Sequence, residues 1–296
     1  MKQLLPILLF CLSGICFSQS KEKLLKEIEK ANIVESDCVG SYCQEGEQYL
    51  NFKKLKKLLS AKELLGLTRS ENPVLRSYAF REIIQNTNKN DSVIDFLAFE
   101  LDKNQTVLIF EGCTQGLELV SSLVYHEYWN KIRIEALESI KTDDEVKRNE
   151  AMQKRLASDE VMEKMDSIIV HSDKNVYWLL YLRAFENRKH KDSYVPRIEK
   201  LAFEQNNVYA LYYLNQYYPT QSMQKIKSYF ENEFQKVTFK EEEDSQYFVE
   251  LIEFLINSND VRFHEIALEK LRKDKDVWEN NSYRIDAILE KKGIKL

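Results

Sequence analysis

Along most of the chain, apolar residues recur three and four positions apart, the spacing that lines one face of a helix. In NFKKLKKLL, residues 51–59, Phe52, Leu55, Leu58 and Leu59 fall on one side and the lysines on the other. This predicts an amphipathic helix whose cations are simply solvated. SKEKLLKEIEKAN, residues 20–32, predicts a shorter one. Between these two, residues 33–50 carry both cysteines of a close pair and no period, and read as an N-terminal cap loop. Ser60 is the expected N-cap of SAKELLGL, Asp143 or Asp144 that of the segment running to Lys154, and Ser158 that of the next, through Val170.

A second pattern lies over the first. NVYWLLYL at Asn175–Leu182 returns as NVYALYYL at Asn207–Leu214, identical at six of eight positions. The turn phrase that precedes these words also recurs, as SENPV at Ser70, DKNQTV at Asp102, DKNV at Asp173, EQNNV at Glu204 and SNDV at Ser258. Asn72 to Asn104 spans 32 residues, and Asn175 to Asn207 spans 32 again. LAFE stands before two of the turns, at Leu97 and at Leu201. Asn and Asp tolerate left-handed backbone angles and bond nearby amides, so they end one helix and cap the next. A fixed period of this size marks helix pairs stacked side by side, each covering a neighbour's apolar face. The expected fold is therefore all-α, an α-solenoid of stacked antiparallel helix hairpins. Seven glycines and four prolines among 296 residues agree with it, because sheet proteins of this length recruit more of both for their turns.

SENPVLRSYAF and SNDVRFHEIAL resemble the inter-helix turn and second helix of HEAT-type repeats. The matching positions are Asn72, Pro73, Val74, Arg76 and Ala79, then Asp260, Val261, Arg262 and Ala267. The tyrosine-rich pair matches more loosely, since Asn175 and Asn207 lead into Val-Tyr without the arginine. The resemblance implies a HEAT-like superhelix that binds other macromolecules, over residues 51–296.

The first residues follow different rules. MKQLLPILLFCLSGICFSQS has a lone cation, Lys2, an apolar run from Leu4 to Ile15, and small residues before Gln19. This is the layout of a secretory signal peptide, 1–18, cut near Ser18-Gln19, and it predicts an exported protein, periplasmic or extracellular. Residues 19–50 then form an N-terminal helix and cysteine-containing cap loop. No later apolar run is long enough to cross a bilayer, so no transmembrane segment is expected in the mature chain. Export makes disulfides possible. The favoured pair is Cys38 with Cys43; free thiols, or a bridge from either to Cys113, remain open, and Cys113 reads as a buried filler within an apolar helical stretch.

Net charge is −5, with both signs spread along the chain, which argues against nucleic acid as a partner. Catalytic signatures are absent. HEYWN at His126 and HEIAL at His264 lack the second histidine of a zinc helix, and no C-x-x-C pair, phosphate loop or nucleophile elbow occurs. No enzyme activity, metal or cofactor is expected. What is in surplus is tyrosine. Tyr177 and Tyr181, and Tyr209 and Tyr213, are four apart, so each pair shares a helix face. They read either as a recognition strip or as packing between repeats, with Arg76, Arg183 and Arg262 as flanking cations. The expected function is a noncatalytic scaffold in the cell envelope that binds a protein or peptide partner. The rivals are a hydrolase with a Glu/His site in a helical cleft and a self-associating structural envelope protein.

Overall fold

The computed structural model describes residues 21–86, 91–140, 142–239 and 244–294, so the leader expected at 1–18 lies outside the described residues. The chain divides into two compact units, one ending at Leu180 and one beginning at Tyr181. The first contains α1 (21–31), β1 (Ile33–Val39), α2 (Glu47–Lys56), α3 (Ala61–Leu67), α4 (Pro73–Asn86), α5 (Asp91–Lys103), β2 (Thr106–Gly112), β3 (Thr114–Leu119), α6 (Val120–Glu138), α7 (Glu145–Ser158) and α8 (Glu160–His171). The boundary falls within α9 (Trp178–Asn187). The second unit continues with α10 (Val195–Glu204), α11 (Val208–Tyr217), α12 (Pro219–Asn232), α13 (Ser245–Asn257), α14 (Val261–Lys273), α15 (Lys275–Asn280) and α16 (Ser282–Lys291).

The chain is mostly helical, and local chemistry starts the helices. Ser60 and Glu63 form a reciprocal capping box on α3. Asn72 accepts from the amides of Val74 and Leu75 at 2.9 and 3.0 Å and starts α4. Asp144, Asn207 and Asp260 cap α7, α11 and α14 in the same way. The cap of α8 is Asp159, one residue beyond the expected Ser158, and its carboxylate accepts from Val161 and Met162. Asn104 and Asn206 take positive φ, 48° and 55°, as the turn phrase requires.

The all-α expectation fails at two places. Residues 33–39 are a strand rather than a loop, and 106–119 fold into a hairpin rather than a helix. β1 pairs parallel with β2, Val34 opposite Ile109, and β2 pairs antiparallel with β3, Leu108 opposite Leu117. Val34 and Val107, 2 and 3 % exposed, turn toward the helices. Tyr78 of α4 ties the sheet to the helices, accepting from the Glu35 amide at 2.8 Å and donating to its carbonyl at 3.1 Å. Cys113 sits in the turn between β2 and β3, exposed and free, so it is not a buried filler. Cys38 and Cys43 are joined by a disulfide across the turn after β1.

Much of the first unit's core gathers on α6, against which α4, α5, α7 and α8 all pack. Its polar positions are tied as well. Tyr125 donates to Asp166 at 2.5 Å, Tyr128 to Asp159 at 3.1 Å, and the Lys131 ammonium to the Ile84 carbonyl near the end of α4 at 2.8 Å. In the second unit, α10 packs on α11, α11 on α12 and α13 on α14, and one step further α11 meets α13 and α12 meets α14.

Candidate functional site

Of the two readings open for the tyrosines, recognition strip or packing, three of the four rings follow the second. Tyr181, Tyr209 and Tyr213 are buried, and only Tyr177, 36 % exposed, reaches water. Tyr213 accepts from the His190 amide at 2.7 Å and packs on Phe185, 5.1 Å between ring centres. Tyr209 turns instead to α13, where Gln246 donates to its hydroxyl at 3.2 Å and Tyr247 stands edge-on. Burial pushes the hydroxyls of both upward, that of Tyr213 to about 12. These rings are spent on packing within the second unit.

The three arginines separate likewise. Arg76 is fully buried and forks onto Glu100 at 2.6 and 3.0 Å. It also donates to Gln105 and to the carbonyls of Ser70 and Glu71, so it locks the turn before α4 to the end of α5. Arg183 is half-buried near Glu186, whose carboxyl is raised by burial, an effect that Arg183 partly offsets. Arg262 is exposed and pairs with Glu265. His126 meets Glu118 at 3.3 Å, and His264 directs Nε2 at the Ser258 carbonyl.

An open concavity lies in the second unit, among α11, α12, α13 and α14. It is a groove of about 800 Å³ whose apolar walls are Tyr212, Met223, Ile226, Phe254, Val261 and Phe263. Its rim is uncharged amide and hydroxyl, from Asn215, Asn257, Ser258 and Asn259, apart from one ion pair of Lys227 with Asp260 at 3.1 Å. That ammonium is the main reason the Asp260 carboxyl lies below its usual range.

Each wall is placed by packing behind it. Phe254 stacks on Phe230 at 5.6 Å, Phe263 meets Phe230 edge-on at 5.3 Å, and Tyr212 stands edge-on to Phe254 at 5.4 Å. The Tyr212 hydroxyl donates to the Glu250 carbonyl, which fixes the ring at the mouth. Val261 stays 69 % exposed and Met223 39 %, although both line the concavity. Apolar side chains left in water at the edge of a preformed groove are the expected mark of a binding surface.

Asp260 and Val261 read from the sequence as a turn, and the structure makes them part of the groove as well. A further signal was present in the twin octets. They differ at two positions, and at one of these Leu180, fully buried, is replaced by Tyr212, a groove residue. Comparison with family models, with curated proteins and with solved structures finds no match for the chain.

Proposed function

We propose that this protein is an exported, noncatalytic scaffold, built at least in its second unit from HEAT-like stacked hairpins, that holds a protein or peptide partner in the cell envelope. The observation carrying this reading is the aromatic groove of about 800 Å³ with exposed Val261 and Met223 at its edge. Its size suits a few side chains of a peptide, and its amide-rich rim suits main-chain hydrogen bonds. The ion pair of Lys227 and Asp260 cancels the charge there, which favours an uncharged, apolar segment. The helix neighbourhoods of the second unit support stacking, since each hairpin touches the next. The HEAT-like turns Asn72–Val74 and Asp260–Arg262 support the family likeness through their capping bonds.

The test is selection from a random peptide library on the purified protein, followed by affinity measurement on the parent and on Val261→Asp. Val261 is exposed, so the substitution leaves the core intact. The expected result is enrichment of apolar peptides and a loss of about tenfold or more in affinity, the worth of one apolar contact replaced by an unpaired charge. Charged peptides, no enrichment, or binding indifferent to Val261→Asp would refute the reading. Mass measurement of the protein recovered from its native envelope tests the leader: cleavage near Ser18-Gln19 is expected.

A further inference from the structure

The sheet of the first unit ends in an open edge. β3 is bonded to β2 on one side, and among the described residues no backbone or side-chain group hydrogen-bonds its other side. Edges of this kind are normally blunted by lysine, proline or a covering loop. TQGLEL contains neither lysine nor proline. Its one charge, Glu118, is turned to the helix face, where it meets His126.

On the opposite face a row of apolar side chains crosses all three strands, Ile33 beside Leu108 beside Leu117. Ile33 and Leu108 are half-buried, and Leu117, at the open edge, is 75 % exposed. The row stops where the sheet stops.

We propose that a second copy of the chain completes it, with β3 pairing antiparallel to its own copy about a twofold axis at Leu117. That register sets Leu117 directly opposite Leu117 of the other copy on the same face, so the apolar row runs unbroken through six strands. Glu118 then lies opposite Gly116, where nothing stands within 4 Å of the missing Cβ, and the two Glu118 carboxylates are not directly opposed. An isologous pair of this kind meets its own need twice, and main-chain bonds satisfy both edges at once. The contact belongs to the first unit and is independent of the groove.

Sedimentation velocity over a concentration series, on protein carrying Cys113→Ser to remove the exposed thiol, tests the pairing. A concentration-dependent dimer is expected, weakened about tenfold or more by Leu117→Lys, which sets two ammoniums opposite one another. Leu65→Lys, a charge at another exposed leucine, should leave it unchanged. In the Cys113→Ser background, Leu117→Cys should close an intermolecular disulfide under mild oxidation, because directly paired Cα atoms lie within disulfide reach. A monomer at every concentration without the crosslink overturns the proposal. So does a dimer indifferent to Leu117→Lys, or an edge that pairs only with a strand of a different protein.

Discussion

Removing the carboxylate of Glu100 is the sharpest test of how the first unit is held together. Arg76 is wholly buried and Glu100 is 2 % exposed, so their pair lies out of water. In Glu100→Ala the guanidinium keeps the carbonyls of Ser70 and Glu71 and the amide oxygen of Gln105, all neutral. It loses the carboxylate to which it is bonded twice. An arginine charge cannot be shed, so it stays buried without that counter-ion. Breaking such a pair costs about 3–5 kcal/mol, and the surviving neutral acceptors favour the lower end, about 3 kcal/mol. For a unit of this size that is a fall in Tm of roughly 6–12 °C. Replacing both partners by apolar residues, Arg76→Met with Glu100→Leu, should recover most of the loss, because a buried pair is rarely better than packed hydrocarbon. Urea denaturation followed by far-ultraviolet circular dichroism, on Glu100→Ala and on the four corners of the cycle (parent, Arg76→Met, Glu100→Leu and the double variant), measures these losses. A loss below about 1 kcal/mol for Glu100→Ala, or a double variant that merely sums the singles, would refute the argument.

Two further outcomes are expected. The Lys21 ammonium, together with the amide and hydroxyl of Ser60, holds the Glu63 carboxyl down at about 2. Its contribution to α3 is therefore present above the ordinary carboxylate range and lost as pH falls through about 2. Carbon-13 titration should place the Glu63 midpoint there and show it rising in Lys21→Ala; a midpoint near 4.5 in the parent protein would contradict the pairing. A Cβ at Gly46 would lie 2.4 Å from that of Glu35, so Gly46→Ala forces β1 and the start of α2 apart. The expected cost is about 1–3 kcal/mol in urea denaturation, and a neutral substitution would show that the approach is looser than the structure has it.

Part of the candidate site could be read from the residues. The second copy of the octet lies in the second unit, and the one ring that reaches the groove from it, Tyr212, stands where the two copies differ. The matching Tyr181 and Tyr213 are both buried, whereas the changed position, Leu180 to Tyr212, passes from core to groove wall. Phe254 and Phe263 carried no such sign. Their spacing is that of any core position, and they line an opening because four helix surfaces leave space beside Phe230.

What the chain determined by itself was local. Ser60, Asn72, Asp144, Asn207 and Asp260 start their helices because each cap is a bond between neighbours in sequence, and apolar spacing tells which face is covered. Tertiary structure decided whatever depends on a distant partner. TVLIFEG has no period to separate strand from helix, and it becomes a strand by pairing with residues more than seventy positions earlier. LAFE occurs twice, yet Glu100 is buried because Arg76 reaches it, while Glu204, with no such arginine, lies in water. A side chain's fate at these positions follows from what folding brings beside it, and that is written in no window of sequence short enough to read alone.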